Sequence, residues 1–175
     1  KPGTDPTVST RPTSSLNIQN HEFIAAIFQR IPPNAFAAVC SKPGNPEAGG
    51  WRLKQVTETM RLSNEANNYL NYSSFCHSED GNTFNVRKEQ FVAIHFLMLD
   101  DLGTKIPIDR LGNFEPSWLI ETSPGNFQAG IILDKPITDR LEAEYLVKSL
   151  IDAGLCDPGS SGICRWARLP VGING

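Results

Sequence analysis

The sequence predicts an α+β fold, a small and mostly antiparallel sheet with helices packed on it. Three observations carry this. Phe91 to Leu99 is an almost unbroken apolar run of strand length with β-branched content. Trp118 to Glu121 and Phe127 to Leu133 flank Ser123-Pro124-Gly125-Asn126, a composition that fits a type II turn and so a hairpin. Two further segments, opening at Asn20 and Asp139, repeat apolar residues at helical spacing.

Taken in order, residues 1–19 are rich in Pro, Thr and Ser and read as a tail or linker ahead of a folded unit over 20–175. Asn20 is a suitable N-cap, Glu22 favours the first turn, and Phe23, Ile24, Ile27, Phe28 and Ile31 form one stripe that Pro32-Pro33 ends. Residues 41–50 hold Pro43, Gly44, Pro46, Gly49 and Gly50, a loop between apolar Phe36 to Val39 and Trp51-Arg52-Leu53. Tyr69 to Phe75 has strand composition, and Glu79-Asp80-Gly81-Asn82 is a turn. Phe91 to Leu99 suits a central strand, a buried helix being the alternative on periodicity alone. A two-residue hairpin loop places Glu121 opposite Gln128, with Gly130 leaving space beside Gln128 on the same face. Asp139 and Glu142 start a second helix in the manner of a capping box. Leu141, Tyr145, Leu146 and Leu150 are its apolar stripe, and Gly154 stops it after Ala153. Arg165 to Leu169 is a short last strand.

The totals exclude several classes. A chain of 175 residues supports one core. Its net charge of −3 argues against a simple duplex-coating protein, which would be basic. No apolar run approaches the ~20 residues that span a bilayer, and Lys1-Pro2-Gly3-Thr4 has no signal-peptide character, so a cytoplasmic location is expected. The missing initiator methionine and the Gly-Ile-Asn-Gly ending read as a piece of a longer protein, or as the ordered part of one. The four cysteines, Cys40, Cys76, Cys156 and Cys164, lack the C-x-x-C spacing of structural zinc. Buried free thiols are expected of them, a Cys156–Cys164 disulfide being the alternative.

Chemistry concentrates in the second half. Asp100 and Asp101 follow the apolar run directly. Adjacent carboxylates on a regular strand point to opposite faces, so both reach one metal only if the strand bends, which Gly103 permits; otherwise they are an acidic turn. Lys105 either balances these acids, holds a phosphate or is an ordinary surface lysine. Thr122, Ser123, Asn126 and Gln128 present hydroxyls, amides and exposed N–H groups suited to phosphate, or make a good turn and nothing more. Asp157 precedes the flexible Pro158-Gly159-Ser160-Ser161-Gly162 and could be a simple cap. Arg165 and Arg168 fall three apart and do not share a face of an ideal strand, so one is expected to be structural. Trp118 suits the core and Trp166 either core or base stacking. His95, within the apolar run, reads as a satisfied core histidine.

The order of these signals resembles the archaeo-eukaryotic primase superfamily, and within it the RepB-like primases of plasmids and phages. The resemblance rests on Phe96-Leu97-Met98-Leu99-Asp100-Asp101, on Glu121-Thr122-Ser123-Pro124-Gly125-Asn126-Phe127-Gln128-Ala129, on Cys156-Asp157 through Arg165-Trp166-Ala167-Arg168-Leu169-Pro170, and on the upstream segment Asn67-Asn68-Tyr69-Leu70. It covers about residues 64–174. It implies an RRM-like primase-polymerase core and template-directed nucleotidyl transfer on single-stranded DNA. Asp100, Asp101 and Asp157 would be the catalytic ligands of Mg²⁺ or Mn²⁺. Lys105, Thr122, Ser123, Asn126, Gln128, Arg165 and Arg168 would hold the NTP or dNTP. A fused or associated helicase is a common neighbour in such proteins. Two positions depart from the pattern: the acids adjoin where one residue usually separates them, and Gln128 stands where a histidine is usual. The alternative that Gln128 and the acidic charge balance favour is a non-catalytic replication-initiator module of the same fold, and a metal-dependent phosphodiesterase is a further rival.

Overall fold

The computed structural model describes residues 17–174. The expected tail therefore lies, as far as residue 16, outside the described residues. The chain forms α1 (Asn20–Ile27), β1 (Phe36–Pro43), β2 (Arg52–Gln55), β3 (Ala66–Phe75), β4 (Phe91–Leu102), β5 (Trp118–Ser123), β6 (Asn126–Ile137), α2 (Arg140–Asp152) and β7 (Trp166–Arg168), with short 3-10 turns between. Strand order is β2-β1-β3-β4-β6-β5 with β7 paired to β3, and every strand pairing is antiparallel. The expected α+β class, a small antiparallel sheet with few helices, is what forms.

β3 positions the site. One edge pairs along its length with β1. The other is shared: Ser73–Phe75 pair with β4, while Tyr69–Asn71 pair with β7. The sheet thus splays where β3 leaves β4, and the last strand fills the gap, bringing the C-terminal segment beside the end of β4.

β4 is central because its sequence is apolar toward both faces. Ile94, Phe96, Leu99 and Leu102 are all at most 1% exposed, and full burial of such side chains is worth about 1.5–3 kcal/mol each. Phe23 of α1 meets Trp118 edge-on with centroids 5.4 Å apart, and Trp118 meets Phe96 at 5.7 Å. Gly130 makes this possible. A Cβ there would fall 2.0 Å from the Trp118 ring, so the space expected beside Gln128 is filled by the indole.

Three local expectations are corrected by tertiary contacts. The N-cap of α1 is Gln19; Asn20 is buried and exchanges two hydrogen bonds with the backbone of Val171, at 2.7 and 2.9 Å. The residue suited to capping instead fastens the chain's last turn. α1 also ends at Ile27, before the prolines, as Phe28 turns onto the His95 ring at 4.5 Å and Arg30 donates to the Asp134 carbonyl. In α2 the buried positions are Ala143 and Val147, flanked by Leu146 and Leu150, whereas Leu141 and Tyr145 are each 70% exposed. That set keeps i, i+3, i+4, i+7 spacing but is rotated from the expected stripe. All four cysteines are free thiols.

His95 is 2% exposed, lies 2.9 Å from the Ser74 hydroxyl through Nε2, and burial lowers its pKa from 6.5 to about 4. The unfolded chain therefore binds this proton more readily than the folded one. His95 contributes fully above its unfolded pKa, and the contribution is lost as pH falls from about 6.5 toward 4, a total of roughly 3 kcal/mol. Urea unfolding at pH 7 and pH 4.5 should show a steeper loss for the wild type than for His95→Gln; equal losses would remove His95 as the cause.

Candidate functional site

The adjacent aspartates sit in a β-bulge. Leu99 pairs with Ala129 and Leu102 with Phe127, so Asp100 and Asp101 together oppose the single residue Gln128. Asp101 has φ 57°, a left-handed conformation rare outside glycine but tolerated by Asp. This is the bend that the sequence required.

Each carboxylate is then held. Asp100 Oδ1 accepts from the Asp101 N–H at 3.0 Å and from Gln128 Nε2 at 2.9 Å. Asp101 Oδ1 accepts from Asn126 Nδ2 at 3.2 Å. Asp101 Oδ2 lies 2.8 Å from Lys105 Nζ, and the same ammonium lies 3.0 Å from Asp157 Oδ2. The gap between these oxygens cannot exceed the two distances laid end to end, so Asp157 converges with the β4 acids to well within a nanometre. Asp157 caps the next turn through Gly159 N–H at 2.7 Å. The hydrogen bond from Lys105, then that from Gly159, holds its carboxyl below the usual range, and Asp101 and Asp157 push the Lys105 ammonium upward.

Lys105 stands there because the turn after β4 is pinned to the hairpin tip. Ile106 N–H donates to the Asp101 carbonyl, Gly103 N–H to that of Ile106, and Thr104 Oγ1 lies 2.9 Å from Asn126 Oδ1. Gly103 has φ +87°, and a Cβ there would fall 2.3 Å from the Gly125 carbonyl oxygen. The hairpin has the expected two-residue loop, Ser123 pairing with Asn126 and Gly125 at φ 74°. Its register slips by one at Thr122, so Glu121 pairs with Phe127 and Gln128 with Ile120. Thr122 Oγ1 donates to the Asn126 carbonyl, and Glu121 accepts from the Gly125 N–H, local bonds that stabilise the slipped register.

The other expected nucleotide ligands divide. Thr122, Ser123 and Asn126 lie together at the hairpin tip, and of them Asn126 reaches Asp101. Gln128 is 8% exposed and uses both ends of its amide, donating to Asp100 and accepting from the Arg168 N–H at 2.9 Å. Arg168 is tied to Tyr69 Oη at 2.6 Å, Asn174 Oδ1 at 2.7 Å and the Ile173 carbonyl at 2.9 Å, with its guanidinium 4.8 Å over the Tyr69 ring. Arg165 lies just outside β7, is exposed, and its charge helps lower the Asp157 pKa. Arg168 is thus the structural member of the pair. Tyr69 and Asn174, whose amide donates to the Thr122 carbonyl, were not singled out from sequence; only the upstream Asn67-Asn68-Tyr69-Leu70 segment hinted at the first.

Among the described residues no group of three His, Cys, Asp or Glu side chains is gathered closely enough to chelate a metal as it stands. The chemistry nevertheless fits a hard divalent cation. The donors are carboxylate oxygens, and the Lys105 ammonium between Asp101 and Asp157 is a built-in stand-in for positive charge.

Comparison with known proteins gives the family and the fold. The sequence profile of the RepB DNA-primase N-terminal domain matches residues 66–174. No curated protein matches the sequence. Three solved structures share the fold. The AEP domain of the cyanophage S-2L primase-polymerase superposes with TM-score 0.60 at 13% identity, over 84% of this chain and 78% of that one. The primase RepB′ gives TM-score 0.52 at 16% identity over 86% of this chain and 49% of its own, so the chain spans about half of that protein. The RepB′ catalytic domain in complex with initiator DNA gives 0.51 at 16% identity over 86% and 75%. The profile match covers more than half the chain, over the same segment that holds the bulged aspartates, the hairpin and β7, and on that ground the chain belongs to the RepB DNA-primase N-terminal domain family, with an archaeo-eukaryotic primase fold.

Proposed function

We propose that this domain is a metal-dependent nucleotidyltransferase that makes primers on single-stranded DNA during plasmid or phage replication. One observation carries the reading: acids far apart in the chain, Asp101 and Asp157, converge on one positive charge at the tip of a polar hairpin. Asp100, Asp101 and Asp157 would hold Mg²⁺ or Mn²⁺, which when bound activates an attacking hydroxyl and stabilises departing pyrophosphate. The chain's own contribution is pre-organisation. Gln128 and the Asp101 N–H fix Asp100, Asn126 fixes Asp101, and Gly159 fixes Asp157, so little ordering is left for the reaction. Ser123 and the second N–H of the Asn126 amide offer donors for an NTP or dNTP triphosphate once the Thr122 hydroxyl holds the Asn126 carbonyl, with Lys105 and Arg165 as the nearby cations. The initiator DNA bound by the RepB′ catalytic domain supports DNA as the partner class.

A second reading, a non-catalytic initiator module, is favoured by one observation. Gln128 and Arg168 spend their hydrogen bonds inside the protein. A de novo assay separates the readings. On single-stranded DNA with Mn²⁺ or Mg²⁺ and each nucleotide type, the enzyme builds products that need nucleotides. The initiator module builds none and binds DNA equally in EDTA. A phosphodiesterase shortens a labelled oligonucleotide without nucleotides.

A further inference from the structure

A groove of about 550 Å³ lies on the sheet beside the acidic site. Its walls include Trp51, Leu53, Tyr69, Arg87, Cys164 and Trp166. Strand register explains how residues so distant in sequence meet: Leu53 pairs with Cys40, Cys40 with Tyr69, and Tyr69 with Arg168, one row across β2, β1, β3 and β7.

Two features of this groove suit an occupant. Large apolar rings are left open: Trp51 is 39% exposed and Leu53 37%, with Trp51 edge-on to Tyr69 at 5.4 Å. Its lining is of one sign. Arg87 is exposed in the wall and the Arg168 guanidinium covers Tyr69, yet among the described residues no acidic side chain lines the groove, in a chain whose net charge is −3.

The groove is also continuous with the candidate site. Arg168 Nη2 donates to Tyr69 Oη, the Arg168 N–H donates to Gln128, and Gln128 donates to Asp100. Three hydrogen bonds thus join the groove wall to the first acid.

The geometry points to this groove as a stacking site for an unpaired nucleobase of the single-stranded template, with Trp51 as the principal platform and Arg87 facing the backbone. Aromatic rings interleaved with arginine suit bases and phosphates together, because every base presents a π face and every linkage a negative charge. A protein helix or strand would find rings here but no acidic counterpart for its own cations. The assignment deepens the proposed function by naming where the template sits, and its test runs without metal so that the two can fail separately.

The test is fluorescence anisotropy of a labelled oligothymidine in EDTA without nucleotides, with tryptophan quenching as a second readout. Trp51→Ala should weaken binding about tenfold or more, within the range for loss of one stacked base, and Trp51→Phe should restore most of it. Duplex of the same length should compete poorly. Wild-type affinity in a Trp51→Ala protein with an unchanged melting curve overturns the proposal. So does quenching by a mononucleotide at the concentration that suffices for the oligonucleotide, which would make the groove a seat for the incoming nucleotide. If the wild type makes primers but fails to bind oligothymidine through Trp51, the groove assignment falls and the catalytic one stands. If it binds through Trp51 but never incorporates nucleotides, the reverse holds.

Discussion

Asp157→Asn should lower primer synthesis by roughly two to three orders of magnitude or more, with little change in the urea midpoint. Loss of one pre-organised electrostatic contact at a reacting centre costs about that much. The substitution is nearly isosteric, and the remaining amide oxygen can still accept from the Gly159 N–H. Asp100→Asn should behave alike. Lys105→Met supplies the contrasting arm. Its ammonium stands between Asp101 and Asp157, so removing it leaves the two carboxylates facing each other without the charge that bridges them. Mn²⁺ titration followed by electron paramagnetic resonance should then show tighter binding in Lys105→Met and weaker binding in Asp157→Asn. Opposite shifts are the signature of a cation site. If the acids form only a surface ion-pair turn, neither substitution moves Mn²⁺ affinity, and a protein that retains synthesis in both aspartate variants would end the assignment.

The sequence made the elements legible where burial is local. The apolar run of β4 and the Pro-Gly turn each declare their structure within a few residues. Relations set by distant contacts were harder to read. The hairpin register slips at Thr122 because side-chain bonds at the tip favour a bulge over the regular ladder, and no composition signal marks a bulge. Leu141 and Tyr145 continue an apolar pattern that the docking angle of α2 leaves in solvent. Asn20 has the chemistry of a cap but is claimed by Val171.

The candidate site shows the same division. Spacing alone required a bend for Asp100 and Asp101 to act together, and the bulge opposite Gln128 is that bend. Spacing could not say that Lys105 would join Asp101 to Asp157, because that contact depends on where the chain returns after α2. Nor could it foresee that Arg168 would be bound from four directions while Arg165 stays outside the strand. The groove was invisible for the same reason: its row of side chains comes from four strands, and only their register assembles it.

Gly103→Ala should separate fold from site. At φ +87° any side chain is strained, and here the added methyl would also fall 2.3 Å from the Gly125 backbone oxygen. The strain costs about 1–2 kcal/mol, and the forced displacement adds about 1–3 kcal/mol. Gly125→Ala is the matched control, since Gly125 has φ +74° but nothing within 4 Å of its Cβ position. It should lose the strain term alone. In urea unfolding Gly103→Ala should therefore lose roughly twice what Gly125→Ala loses. The activity difference should be larger still. Parting the two turns pulls Asn126 from Asp101 and Thr104 from Asn126, and those bonds hold the second acid and the Lys105 turn in place. Equal stability losses in the two variants would mean that the hairpin tip moves aside freely and does not position the carboxylates.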